Sequence, residues 1–171
     1  NPFTSKIELP IRETDTQFEA DNKAVINTYD GFGLSSNLFF ETSKGLSDAA
    51  LQSGGIRLYE LKDGGAREIE IEVEGRRDNT FILIKPIGQI LEPETVHIVA
   101  ITHQIQDSQG RSVEPMMPGV LALAKNPVFA QNESQLAVLE RESAAKVELV
   151  RSGVHKGLAQ IDTAGLLPQS V

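Results

Sequence analysis

Apolar and polar residues alternate most cleanly along Arg67–Glu74. Ile69, Ile71 and Val73 fall on one side, and Glu68, Glu70, Glu72 and Glu74 on the other. A period of two over this length predicts a half-buried antiparallel strand. The same alternation makes Ile56–Leu61 a strand, and Lys62-Asp-Gly-Gly65 after it is a hairpin turn signal. Gly75–Asn79 turns the chain, and Thr80–Ile84 is apolar on both faces, as a central strand is. Lys85-Pro86 ends that run, and Pro93-Glu94 opens another over Thr95–Thr102. Asp107-Ser-Gln-Gly110 is a turn, with Arg111–Val113 beginning the return. Upstream, Lys23–Thr28 reads as a strand, Tyr29–Gly33 as a break, and Leu38–Phe40 as the next strand. Ser47–Leu51 is one helical turn capped by Ser47 and ended by Gly54-Gly55. Short strands spaced by turn signals predict an antiparallel β-sandwich over residues 23–125.

The two ends read differently. Residues 1–22 are polar and irregular, with an edge strand from Ile7, Leu9 and Ile11 that tolerates Pro10. Gly119–Ala124 is apolar and suits either element type, and Asn126-Pro127 is a break. Within 126–153, Asn132 to Gly153 reads as one helix. Asn132 caps it with Gln135 three residues on, Glu142 and Lys146 pair at i,i+4, and Gly153 closes it. Leu136, Leu139, Val147 and Val150 form one apolar stripe, and Val138 and Leu149 a second. One stripe suits the sandwich; the other suits the C-terminal tail or a partner. Residues 154–171 read as a tail or linker with one weak strand near Leu158–Ile161.

A chain of 171 residues makes one domain, or one domain with an appendage. Its net charge of −8 weighs against phosphate-rich partners and anionic lipid, so no nucleic acid is expected. It has no Cys, which excludes disulfides, thiolate metal sites and a Cys nucleophile. No window approaches the roughly 18 apolar residues of a membrane-spanning helix. The first residue is Asn1 rather than Met, so either a signal segment has been removed or the chain has been trimmed.

Reactive constellations are missing from the sequence. No G-x-S-x-G occurs; Ser35, Ser36 and Ser53 fail its spacing and read as turn residues. His97 and His103 on one strand would lie about 20 Å apart, too far to share a metal. His155 follows the expected helix end, where the helix dipole favours a cation. The Glu68–Glu74 row is better read as a solvated face than as paired carboxylates. Asp107–Gly110 begins like a calcium loop, but Arg111 and Pro118 occupy its fifth and twelfth positions. Gly54-Gly55 and Gly64-Gly65 lack the Lys-Ser/Thr of a phosphate loop. No catalytic, cofactor-binding or metal residue, and no cofactor, is therefore expected.

Two segments carry a resemblance. Asn27-Thr-Tyr-Asp-Gly-Phe-Gly33 lies between apolar runs, with Ile56-Arg-Leu-Tyr-Glu-Leu61 downstream; Leu91-Glu-Pro-Glu-Thr-Val-His-Ile-Val-Ala-Ile-Thr102 precedes Asp107–Gly110. Together they resemble the immunoglobulin-like domain that stands N-terminal to the catalytic domain in a group of extracellular bacterial lipases. His97 stands where that family usually has Tyr, and its final aromatic-rich strand has no counterpart after Gly153. The resemblance implies a mainly β fold, an immunoglobulin-like antiparallel β-sandwich with a C-terminal α-helix. It also implies an exported protein of the extracellular space or outer envelope. The function implied is non-catalytic support or orientation of a C-terminal hydrolase domain of the same polypeptide. The alternative is a stand-alone adhesion or recognition module binding protein or glycan.

Overall fold

The computed structural model describes residues 9–29 and 33–167. They belong to two compact units, one ending at Ser36 and the other starting at Asn37.

In the first unit, helix α1 (Gln17–Ile26) replaces the strand expected from Lys23. A capping box sets it. Glu19 N–H donates to Thr16 Oγ1 at 3.3 Å, and Thr16 N–H donates to Glu19 Oε2 at 2.8 Å. Lys23, in the last turn, pairs with Asp15 at 2.7 Å. Leu9 and Ile11 lie in irregular chain rather than an edge strand, while Ile7 lies outside the described residues. Leu9 is held by Asn27, whose side chain accepts its N–H at 2.6 Å and donates to its carbonyl at 3.0 Å. Of the expected Tyr29–Gly33 break, Asp30, Gly31 and Phe32 are outside the described residues.

The second unit runs β1 (Leu38–Glu41), α2 (Asp48–Leu51), β2 (Ile56–Lys62), β3 (Gly65–Ile69), β4 (Ile71–Arg76), β5 (Phe81–Pro86), β6 (Val96–Ile101), α3 (Met117–Ala122), β7 (Phe129–Ala130), β8 (Glu133–Ser134) and α4 (Arg141–Thr163). The strands form three antiparallel sheets, ordered β1-β5-β4, β3-β2-β6 and β7-β8. With its helices the chain is mixed α/β rather than mainly β. The β2–β3 turn is the one the sequence signalled. Asp63 and Gly64 both take positive φ, 52° and 79°, as a two-residue hairpin loop requires. β5 is the central strand of its sheet, as its two-sided apolar pattern demanded.

Arg67–Glu74 is not one strand. It divides at Glu70 into β3 and β4, which belong to different sheets. The alternation survives because both inner faces look toward one apolar interior. Ile69 packs with Leu58 and Leu91, while Ile71 and Val73 pack against Ile56, Ile82 and Ile84. Ile56 comes from one three-stranded sheet and Ile82 and Ile84 from the other, so the core lies between them. Ser47 caps α2, accepting Ala50 N–H at 3.1 Å, and turns Ala50 into this core.

The C-terminal helix is displaced from its expected span. Gln131 and Asn132 take φ of 53° and 66° and turn a small hairpin, so Asn132 caps no helix. Leu136, Val138 and Leu139 precede α4 altogether. Residues 154–163 are helical rather than tail or strand, and Gly153 lies mid-helix. The stop is Gly165. Its φ is +70°, its N–H donates to Asp162 O at 2.8 Å, and Leu166 N–H donates to Ile161 O at 3.0 Å. That pair of bonds is a Schellman turn. Gly157 explains how the helix seats: a Cβ there would stand 2.2 Å from Ile98 Cδ1 and 3.1 Å from Leu61 Cδ1. α4 therefore lies on the outer face of β3-β2-β6, opposite the face bearing Leu58. Tyr59, on that outer face, donates its hydroxyl to Leu166 O at 3.0 Å, pinning the Schellman turn to the sheet.

Candidate functional site

The strongest concentration of polar chemistry inside the second unit is a cross-strand row. Strand register sets Glu60 of β2 opposite Arg67 of β3 on one side and His97 of β6 on the other. All three occupy the inner face, in step with Leu58. Glu60 is only 4% exposed. Arg67 Nη2 donates to Glu60 Oε2 at 3.0 Å, and its Nη1 donates to Gln89 Oε1 at 3.2 Å. His97 Nε2 lies 3.8 Å from the same Glu60 oxygen, and Nδ1 lies 3.1 Å from Thr95 O. A carbonyl makes Nδ1 the donor. In the neutral ring, Nε2 is then an acceptor facing a carboxylate, and it is buried with no hydrogen-bond partner among the described residues. Beside the row, Lys62 pairs with Glu92; their hydrogen bond, reinforced by their opposite charges, pushes the lysine up and the carboxyl down from their ordinary values. No Ser, Thr or Tyr hydroxyl is hydrogen-bonded to this row among the described residues. Its chemistry is that of a charged clasp across three strands, fixing their register.

A second polar knot joins α4 to the segment before it. Glu148 accepts Val128 N–H at 2.8 Å and two hydrogen bonds from Arg151 Nε near 3.0 Å. The Arg151 guanidinium, helped by the Val128 amide and the Ser152 hydroxyl, holds the Glu148 carboxyl down at about 2. Arg151 Nη1 and His155 Nε2 both reach Ala124 O, at 3.2 and 3.0 Å. His155 thus lies mid-helix rather than past a helix end, and it fastens the chain leaving α3. Beside this knot lies an open cleft of about 550 Å³ lined by Leu121, Val128 and Leu136.

The other residues weighed in the sequence scatter. His103 follows β6 in an exposed turn, so His97 and His103 share no strand. Ser35 and Ser36 are exposed in the first unit, where Ser36 N–H closes a turn to Gly33 O at 2.8 Å. Ser53 donates to Ala50 O at 2.7 Å and accepts Gly55 N–H at 3.1 Å, ending α2. The Glu row divides between sheets. Glu68 meets Arg57 at 3.4 Å, and Glu74 bonds Arg76 at 2.8 Å as well as Lys85. Those two cations hold the Glu74 carboxyl at about 2. Asp107 is the turn residue its sequence context indicated. It accepts Gln109 and Arg111 amides at 2.8 and 3.0 Å and pairs with the Arg111 side chain, which brings its carboxyl to about 2. Gly110 supplies the positive φ, 76°. Among the described residues no group of three His, Asp or Glu is placed to hold a metal ion, and no helix is long and apolar enough to cross a membrane.

Sequence reasoning missed the Glu60 clasp. The available signal was a carboxylate two residues from Leu58 on the same strand face, since an ionised side chain inside a sandwich requires a partner. Comparison with known protein families, with curated proteins and with solved structures found no match to this chain.

Proposed function

We propose that this chain is a non-catalytic, immunoglobulin-like module of an exported bacterial lipase or esterase, supporting or orienting an α/β-hydrolase domain of the same polypeptide. The observation that carries this reading is an apolar ridge at α3. Met116 and Met117 are 83% and 68% exposed, and Val120 and Leu123 continue the same side of the helix, about half exposed. A cluster of large apolar side chains on the surface is what a neighbouring domain covers. The resemblance supplies the identity of that neighbour. Two further features support it: two antiparallel sheets around a shared core, and the Leu91–Glu94 lead into β6.

The test is made on the protein as its source produces it. The expected polypeptide continues well beyond Val171, contains G-x-S-x-G with later Asp and His, and hydrolyses p-nitrophenyl butyrate. Met117→Asp in that polypeptide lowers its stability, while the same change in the 171-residue chain stays within about 0.5 kcal/mol. A native polypeptide ending at or near Val171 sinks the lipase reading.

A free-standing recognition module is the second reading, and one observation favours it. Phe39 is exposed on β1 and stacks on Phe81 at 5.1 Å, and Arg77 sits 5.2 Å from the Phe81 ring centre. An exposed aromatic platform with a guanidinium beside it suits a protein or glycan surface. Loss of binding to a glycan or protein array on Phe39→Ala, in a chain that ends near Val171, would favour it over the first.

A further inference from the structure

Each three-stranded sheet has two edges, and three of the four carry charges or are short. β3 presents Arg67 and Glu68, and β4 presents Glu72, Glu74 and Arg76. β1 is four residues long and ends on Glu41. Charge and brevity are how sheet edges resist pairing with another chain. β6, Val-His-Ile-Val-Ala-Ile, has no Asp, Glu, Lys, Arg or Pro along its six residues.

Its hydrogen-bonding direction follows from the ladder. Thr102 N–H donates to Gly55 O at 2.9 Å, in register with Ile101 opposite Ile56. Backbone groups alternate sides along an antiparallel strand. Val96, Ile98 and Ala100 therefore bond to β2, whereas His97, Val99 and Ile101 turn their N–H and C=O groups outward. Among the described residues of the second unit nothing hydrogen-bonds to those outward groups. Near the ends of the strand, Val96 and Ile101 are 61% and 39% exposed.

We infer that β6 is a self-association edge, at which two copies of this chain pair β6 to β6, antiparallel, about a two-fold axis at Val99. This register sets His97 opposite Ile101 of the second copy and Val99 opposite its own counterpart. All three outward residues then exchange hydrogen bonds, and each sheet becomes half of a continuous six-stranded one. Face alignment is kept. Ile98 meets Ala100 and Val96 meets Thr102 on the α4 side, while Val99 meets Val99 on the inner side. A two-fold axis needs one surface that complements itself, and an uncharged strand supplies it. Charge selects this edge for a second copy. Each chain carries −8, and among the four edges of the two three-stranded sheets β6 is the one without an acidic side chain.

Sedimentation velocity from micromolar to millimolar concentration, with amide hydrogen exchange on the same samples, tests the inference. The expected result is a monomer–dimer equilibrium in which the His97, Val99 and Ile101 amides slow by about tenfold or more as dimer forms. The variant Val96→Lys with Ile101→Lys puts like charges along the edge and is expected to remain monomeric with an unchanged circular dichroism spectrum. A protein that stays monomeric throughout overturns the inference. So does a dimer whose three outward amides exchange as fast as in the monomer. If the double variant unfolds, the exchange result on the unaltered chain decides.

Discussion

Replacing Ile161 with Ala tests whether residues 154–163 are a docked helix, as the structure has them, or a tail. Ile161 is 0% exposed, on the last turns of α4. The change removes three carbons from a filled site, about 2.4 kcal/mol at roughly 0.8 kcal/mol each. Incomplete collapse of the cavity adds to that, within the range of about 2–5 kcal/mol found for such truncations. Alanine's better helix propensity returns only a few tenths of a kcal/mol. The net expectation is a loss of about 2–4 kcal/mol. For a chain of this length that lowers Tm by roughly 4–16 °C. The control is Leu149→Ala on the same helix. Leu149 is half exposed, so its truncation is expected to cost at most about 1 kcal/mol. Urea denaturation of both variants, followed by circular dichroism, gives the difference directly. If Ile161→Ala costs no more than Leu149→Ala, α4 does not bury this face and the account of the helix seating is wrong.

Three further expectations follow from the packing and the charges. Gly45→Ala would place a Cβ 2.2 Å from the Asp78 carbonyl oxygen, which cannot rotate away; denaturant titration is expected to show a loss above about 1 kcal/mol. Tyr59→Phe removes the hydroxyl that holds Leu166 O, so a loss of about 1 kcal/mol is expected, with faster amide exchange in the last turn of α4. The Glu148 carboxyl stands at about 2 when folded against an ordinary 4.5, so its contribution is complete above about 4.5 and is lost as pH falls toward 2. Glu148→Gln is accordingly expected to flatten part of the acid limb of stability between those values. A limb as steep as that of the unaltered chain refutes the assignment.

Much of the sheet structure was legible because its determinants are local. The Asp63-Gly64 turn, the Ser47 cap and the Asp107 turn each depend on a few consecutive residues. The strand Ile56–Leu61 declared itself by alternation. What the sequence hid depends on distant partners or on competing local signals. Thr16 and Glu19 carried a legible capping box, but the apolar residues after Lys23 also suited a strand. Asn132 and Gln135 imitate a capping box, yet Asn132 takes a left-handed conformation inside a hairpin. Gly153 looked like a helix stop, and Gly157 lay in a stretch read as tail or linker. Gly157 is instead a point of close approach, and its reason lies about 60 residues away at Ile98. The Glu60 clasp was hidden for the same cause, since its partners sit on two other strands.

The division of Arg67–Glu74 has a mechanical meaning. One uninterrupted stretch of backbone passes from one layer to the other at Glu70, and Ile87 N–H ties that crossing down by donating to Glu70 O at 2.9 Å. Dispersion between stacked layers yields readily to shear, whereas a covalent thread does not. A load that pulls the layers apart is carried through this strap before the interior gives way. The two layers should therefore lose their exchange protection together, as one cooperative body.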